Sequence, residues 1–173
     1  MTLADVGKGD AAAHLRPTSD RVRESLFSML THLDVLRGAR ALDVFAGTGA
    51  LGLEALSRGA SEVVFIENGR VAQGLVRDNV QRLKATGTTL MRDDATQLGP
   101  WSGAPFGLAF LDPPYGKGMG QLALAGLRDG GWLAQGAAIV WEENAPMDPP
   151  LGFVRTDKRK YGDTWVTLLS RSG

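Results

Sequence analysis

Short apolar runs and amphipathic stretches alternate along most of the chain. Apolar runs typical of buried strands cover residues 40–46, 62–67, 88–91, 106–111 and 137–141. Between them the spacing of apolar side chains predicts helices over residues 22–33, from the glycine-rich turn to about 58, over 71–84 and over 121–127. Strands that alternate with helices in this way predict an α/β fold with a mostly parallel, doubly wound sheet.

The two ends of the chain depart from this alternation. Residues 153–160 and 164–170 flank Gly162 and predict a C-terminal antiparallel hairpin at one edge of the sheet. Residues 1–14 show no apolar period, and we expect them to form a mobile tail. Residues 15–173 are then expected to form a single domain, which is long enough to bury a core.

The composition excludes some kinds of site and some classes of protein. The chain contains no cysteine and only two histidines, so disulfides and thiolate sites are excluded and no metal site is expected. No apolar stretch is long enough to cross a bilayer and no signal peptide is evident, which favours a cytoplasmic location. We also expect a monomer. The formal net charge is zero, so a nucleic-acid substrate would require a local basic face.

One tetrapeptide, Asp112-Pro113-Pro114-Tyr115, ends the fourth apolar run and is unusual for a packing segment. Tyr115 offers a ring on which a planar group can stack. The Asp112 carboxylate and the Pro113 carbonyl can each accept a hydrogen bond from an exocyclic amino group. An ordinary turn is the alternative, since aspartate and proline are both turn residues.

A glycine-rich segment follows the first predicted strand. Residues 47–52 match the pattern G-x-G-x-x-G and lead into a helix, which is typical of a backbone that approaches a bound cofactor closely. Glu67 ends the second strand, where a carboxylate often meets ribose hydroxyls in a doubly wound sheet. With Asp43, Asp94 and Asp112, acids follow or end four successive strands.

The charge of this site separates two classes of cofactor. Dinucleotides carry an anionic pyrophosphate and favour a bare helix N-terminus. S-adenosylmethionine is cationic at its sulfur and at its amino group, so four acids fit it better. Each acid also has a plainer interpretation: Asp43 as a cap, Glu67 as a solvated strand end, and Asp93 with Asp94 as a turn pair.

At this point the chain resembles a known family, the bacterial 16S rRNA guanine-N2 methyltransferases, often labelled adenine-specific DNA methylases. The resemblance runs from about residue 15 to 170 and is carried by RPTSDRVRESLF at 16–27, LDVFAGTGALGLEALSRG at 42–59 and DPPY at 112–115. Members usually begin with a basic strand pair of the Arg-Gly-Arg type, which residues 1–13 do not match.

The resemblance implies a Rossmann-like class I methyltransferase that uses S-adenosylmethionine and acts on ribosomal RNA or the small ribosomal subunit. Asp43 and the 47–52 loop would surround the methionine part, Glu67 would bind the ribose, and Asp94 the adenine. Arg21 or Arg23 would bind the cofactor's carboxylate. The implied cofactor residues are Asp43, Phe45, Gly47, Thr48, Gly49, Gly52, Glu67, Asn68, Asp94, Ala95, Arg21 and Arg23, and the implied catalytic residues are Asp112, Pro113, Pro114 and Tyr115.

A basic cluster near the C-terminus is the candidate substrate surface. It consists of Arg155, Lys158, Arg159 and Lys160, interleaved with the aromatic residues Tyr161 and Trp165. Cations mixed with aromatic rings are typical of surfaces that bind single-stranded nucleic acid. A solvated hairpin face is the alternative.

Three other functions remain compatible with these patterns. The tetrapeptide equally suits a methyltransferase acting on adenine in DNA or on a protein amide, although little room remains for a DNA-recognition region. A cofactor-binding module without catalysis is the second alternative. A nicotinamide oxidoreductase is the third and has the least support.

Overall fold

The structure is a computed structural model that describes residues 20–172. The expected tail at 1–14 and the Arg16-Pro17-Thr18 segment lie outside the described residues. The helices are α1 (Asp20–His32), α2 (Ala50–Ser57), α3 (Arg70–Arg82) and α4 (Met119–Asp129), with one 3₁₀ turn at Ala95–Gln97. The strands are β1 (Arg40–Val44), β2 (Glu62–Ile66), β3 (Thr88–Met91), β4 (Phe106–Leu111), β5 (Leu133–Glu143), β6 (Phe153–Tyr161) and β7 (Thr164–Arg171).

The seven strands of residues 20–172 belong to one sheet in the order β3-β2-β1-β4-β5-β7-β6. The neighbouring pairs among β1 to β5 are parallel. Strand β7 runs antiparallel to both β5 and β6. The predicted doubly wound parallel sheet and its C-terminal hairpin are therefore confirmed.

Side-chain alternation divides the core between the two faces of the sheet. On the α2 side, Ala41, Val63 and Phe65 pack with residues of α1, α2 and α3. On the α4 side, Leu42, Ile66 and Trp141 pack with α4, and Trp132 joins this cluster. Trp132 and Trp141 are buried, and Trp101 is partly buried and stacks on Trp132 with ring centroids 4.7 Å apart.

Two strand bounds differ from the prediction in ways that matter for the site. Strand β1 ends at Val44 because Phe45 takes a left-handed backbone conformation with φ +58°. Strand β5 extends on both sides of the predicted 137–141, since Leu133 pairs with β4 and Glu143 pairs with Trp165 of β7. Glu142 and Glu143 are thus buried strand residues and not part of a loop.

The strand order locates the site before any side chain is considered. From β1 the chain builds β2 and β3 on one side and β4 and β5 on the other. The helices that follow β1 and β4 therefore cover opposite faces, and a crevice is left at the carboxyl ends of these two strands. Ligands of open α/β sheets bind at this switch point.

Candidate functional site

A cavity of about 460 Å³ opens at the carboxyl ends of β1, β2 and β4. Its size lies in the range of small-molecule sites, roughly 300–1,000 Å³. The residues of its lining that the sequence analysis had proposed are Asp43, Phe45, Gly47, Thr48, Glu67, Asn68, Asp112 and Pro114. Residues from the predicted cofactor loop and from the predicted acceptor motif therefore share one cavity.

Asp43 lies at the base of this cavity and is only 2% exposed. Its Oδ2 accepts a hydrogen bond of 2.9 Å from the Gly52 backbone N–H at the start of α2. Burial raises the pKa of the Asp43 carboxyl well above its ordinary value; the Gly52 hydrogen bond opposes this, and the Asp112 and Glu67 carboxylates add to the rise. A cation bound here would relieve the repulsion among the three acids.

The glycine loop takes its shape from left-handed backbone positions. Gly47 and Gly49 have φ values of +61° and +81°, and Phe45 has the same conformation although it carries a side chain. A non-glycine residue held there costs about 1–3 kcal/mol and often marks a functional turn. Here the turn directs the chain from β1 around the cavity.

Glu67 connects this loop to the end of β2 through hydrogen bonds. Its Oε1 accepts from the Gly47 N–H and its Oε2 from the Gly69 N–H, both at 2.9 Å. From the other side, the Nδ2 of Asn79, a buried polar residue of α3, donates to the Thr48 carbonyl at 2.9 Å. The loop is therefore held from two directions, and Glu67 retains further lone pairs for a ligand.

The acceptor loop at residues 112–115 leaves β4 beside the glycine loop. The Asp112 N–H donates to the Val44 carbonyl at 3.4 Å, which continues the pairing of β4 with β1. The Tyr115 hydroxyl lies 3.4 Å from Thr164 Oγ1, and the Gly116 N–H donates to Glu143 Oε1 at 3.2 Å. The loop is thus attached to β1, to β5 and to the hairpin.

Several residues at the site were missed by the sequence analysis. Arg70, Lys117 and Met119 line the cavity, and Glu143 holds the acceptor loop. Lys117 follows the motif between two glycines, and that position was a usable signal. Glu143 was also detectable, because it is a further acid at the end of an apolar run.

Asp94 and Ala95 lie outside the lining of this cavity. Asp94 caps the 3₁₀ turn, since its Oδ1 accepts from the Thr96 N–H at 2.9 Å and from its hydroxyl at 2.7 Å. Ala95 is buried among the core residues of the α4 side. Their assignment to the cofactor, with Asp94 at the adenine, stays a prediction, and the turn-pair interpretation describes the hydrogen bonds that Asp94 makes.

The two arginines of α1 also lie outside the lining of the cavity. Arg23 contacts Asp20 at 2.6 Å and Glu54 of α2 at 3.5 Å, which links the two helices. Arg21 is exposed. Their proposed role at the cofactor's carboxylate remains a prediction.

The basic cluster of the hairpin is divided between the two faces of the sheet. Lys158 and Lys160 pair with Thr167 and Trp165 in register, and Lys160 Nζ lies 6.0 Å from the Trp165 ring centroid. Arg159 lies on the other face, where its Nε donates to Asp157 at 3.0 Å. This hydrogen bond lowers the pKa of the Asp157 carboxyl.

Arg155 lies on the same face as Lys158 and Lys160, because its register partner Leu169 shares a face of β7 with theirs. A register shift between Arg155 and Asp157 separates it from the two lysines along the strand. It donates to the Met147 carbonyl at 3.3 Å. Tyr161 packs against the core of the α2 side. The cluster that is continuous in sequence is therefore divided between two faces of the sheet, and its role in substrate binding stays a prediction.

Comparison with known proteins identifies the family. The sequence matches the family model described as Conserved hypothetical protein 95 over residues 8–170. The chain belongs to this family. Ribosomal RNA small subunit methyltransferase D of Escherichia coli (strain K12) is 44% identical over 161 residues, which cover 91% of this chain and 80% of that protein.

A second sequence relative and a solved structure are also named as methyltransferases. The protein of the same name from Haemophilus influenzae is 36% identical over 154 residues, which cover 86% of this chain and 79% of that protein. The solved structure of the putative methyltransferase yhhF from Escherichia coli has a TM-score of 0.79 at 36% identity, covering 92% of this chain and 89% of that one. The family prediction and the Rossmann-like methyltransferase fold are confirmed, and the chain is a methyltransferase.

Two kinds of feature are absent from residues 20–172. No group of three or more potential metal-ligating side chains comes together in this part of the chain. None of its helices is both long enough and apolar enough to cross a membrane.

Proposed function

We propose that this chain transfers the methyl group of S-adenosylmethionine to the N2 amino group of a guanine in 16S rRNA. The observation that carries the proposal is the shared cavity, which is lined by part of the glycine loop, by the acids Asp43 and Glu67, and by Asp112 and Pro114 of the acceptor motif. Ribosomal RNA is the substrate named for the relatives. The guanine N2 atom is the target implied by the family resemblance.

The cavity fits this cofactor in size and in charge. Asp43, Glu67 and Asp112 present three acids to a ligand whose sulfur and amino group are cationic. Asp43 and the 47–52 loop would hold the methionine part, and Glu67 would accept hydrogen bonds from the ribose hydroxyls. When bound, S-adenosylmethionine supplies an electrophilic methyl group.

The acceptor loop would prepare the nitrogen for attack. An exocyclic amine is a weak nucleophile because its lone pair is delocalised into the ring. If the Asp112 carboxylate and the Pro113 carbonyl accept hydrogen bonds from its two N–H groups, the nitrogen becomes pyramidal and its lone pair points towards the methyl group. The C–N bond would form as the sulfonium C–S bond breaks, and the methylated amine would then release one proton to solvent. Tyr115 would stack on the base, and such contacts contribute about 1–3 kcal/mol. Catalysis would then come mainly from positioning and electrostatics.

The target guanine must be unpaired or flipped to enter this cavity. We assign the RNA strand beside it to the surface formed by Lys158, Lys160 and Trp165, which we call the lysine–tryptophan surface. It lies on the α4 side of the hairpin, and Trp165 pairs with Glu143 directly beside the acceptor loop. Arg159 is the weaker candidate because Asp157 already neutralises it.

Methyl transfer to three acceptors tests the proposal. Labelled S-adenosylmethionine is supplied with small ribosomal subunits that lack the modification, with naked 16S rRNA, or with duplex DNA. We expect N2-methylguanosine from one of the RNA acceptors. Methyladenine from DNA would reassign the substrate, and absence of transfer despite cofactor binding would indicate a module without catalysis.

A further inference from the structure

A buried carboxylate outside the predicted site lies directly behind the acceptor loop. Glu143 is the last residue of β5 and is 2% exposed, on the same face of the sheet as the fully buried Trp141. Burying a carboxylate is costly unless donors compensate for the lost water. The position therefore calls for a role that outweighs this cost.

The two oxygens of Glu143 bridge the loop and the core. Oε1 accepts from the Gly116 N–H at 3.2 Å, and Oε2 accepts from the Trp141 indole N–H at 3.3 Å. Gly116 directly follows Tyr115 and has φ +71°. Trp141 is fixed against α4, since a Cβ on Gly120 would lie only 2.5 Å from its Nε1. Glu143 thus connects a turn of the acceptor loop to one of the most tightly packed side chains of the sheet.

A second attachment comes from the same corner of the sheet. The Tyr115 hydroxyl lies 3.4 Å from Thr164 Oγ1, and Thr164 precedes Trp165, the register partner of Glu143. The end of the acceptor loop is therefore bounded by Glu143 on β5 and by Thr164 on β7. Functional groups need such supporting contacts to keep their productive geometry.

We propose that Glu143 is a positioning residue that fixes the end of the acceptor loop, and with it the ring of Tyr115 and the acceptor Asp112, for the target base. This inference rests on the proposed methyl transfer to a base. Glu143 acts through the Gly116 amide and does not contact the reacting atoms.

The variant Glu143→Gln keeps the shape and removes one acceptor. Glutamine has a single carbonyl oxygen, so one of the two N–H groups would face an NH2 group. Small displacements of a reacting group can cost about 100-fold in rate. We expect kcat to fall about 10- to 100-fold, while the KM for RNA and the Kd for S-adenosylmethionine change less than about 2-fold.

Thr167→Val is the matched control. Thr167 is fully buried on β7, and its Oγ1 accepts from the Met147 N–H at 3.0 Å, so the variant also deletes a buried acceptor for a loop amide. It supports a different loop. Its kcat should stay within about 2-fold of the unmodified protein even where its stability is lower.

NMR gives a readout that does not depend on activity. In Glu143→Gln the Gly116 amide should lose protection from hydrogen exchange and the Trp141 indole resonance should shift, whereas Thr167→Val should leave both unchanged. The positioning role is overturned if the parent protein is active and kcat is unchanged in Glu143→Gln, or if both variants lose kcat equally. Either result leaves the proposed methyl transfer standing. A parent protein inactive on every RNA overturns the proposed function, and the NMR result still decides whether Glu143 holds the loop.

Discussion

The third glycine of the loop provides the sharpest test of how the site is built. An added Cβ at Gly52 would lie 2.7 Å from Phe65 Cε1, 2.7 Å from Val63 Cγ1 and 3.0 Å from Asp43 Oδ2. Carbon atoms pack best at about 3.5–4.0 Å. Phe65 and Val63 are fully buried, so neither can move away cheaply, and α2 must shift instead.

The magnitude follows from two opposing terms. Overpacking of a rigid core costs about 1–3 kcal/mol, and two simultaneous contacts favour the upper end. Alanine in place of glycine inside a helix stabilises the folded state by about 1 kcal/mol, which offsets part of this cost. We therefore expect Gly52→Ala to lower the free energy of unfolding by about 2 kcal/mol, which lowers the melting temperature by about 4–8 °C.

The same shift should weaken cofactor binding, because it disturbs the hydrogen bond from the Gly52 N–H to Asp43. Gly74→Ala in α3 is the control, since nothing lies within 4 Å of its added Cβ. That variant should gain about 0.4–1 kcal/mol and bind the cofactor normally. Urea unfolding and calorimetric titration measure both quantities. If Gly52→Ala is as stable as the parent chain, the close approach of α2 to β2 is wrong.

Two further predictions concern charge. The pKa of Asp43 is higher in the folded protein than in the unfolded chain. The free energy of unfolding without cofactor should therefore fall as pH rises from the unfolded-state pKa through the folded-state pKa. Asp43→Asn should flatten this decline, which urea unfolding at a series of pH values measures. Affinity for S-adenosylmethionine should rise in the parent chain as pH rises through the raised pKa of Asp43, and it should stay flat in Asp43→Asn over the same range; a parallel rise in both would refute this linkage. Exchanging Lys158 and Lys160 for glutamine should weaken the salt dependence of RNA binding. The slope of log K against log salt concentration should become less steep by up to about 0.7 per lost phosphate contact. The control exchanges Arg82 and Lys84, which lie near β3 at the opposite edge of the sheet, and an equal effect of both pairs would refute the lysine–tryptophan surface.

Much of the fold was predictable because its signals are local and periodic. Apolar runs between amphipathic stretches placed the five parallel strands, and the segments around Gly162 placed the hairpin. The convergence of Asp43, Glu67 and Asp112 followed from topology alone, since the carboxyl ends of neighbouring parallel strands meet at one edge.

The rest depended on partners that are distant in sequence. Arg23 contacts Glu54 because α1 packs beside α2, and no local pattern specifies that contact. Glu143 became a strand residue because β7 pairs with it. Asp94 caps its own turn, a choice that an Asp-x-Thr sequence permits but does not require.

The arrangement of the basic cluster was predictable from the sequence only in part. Strand alternation already separates Lys158 and Lys160 from Arg159, so this part of the division was available from the sequence. Strict alternation would place Arg155 on the face of Arg159. The irregular register between Arg155 and Asp157 places it on the face of the two lysines instead, which only the structure reveals.

The most direct test of the central claim is methyl transfer by the parent chain and by Asp112→Asn on small ribosomal subunits that lack the modification. We expect N2-methylguanosine from the parent chain. In Asp112→Asn the rate should be at least about 100-fold lower, because a neutral amide oxygen replaces the anionic acceptor of the target amine. The Kd for S-adenosylmethionine should rise much less than this, because Asp43 and Glu67 still face the cofactor. An undiminished rate in Asp112→Asn, or methylation at another atom, would contradict the account.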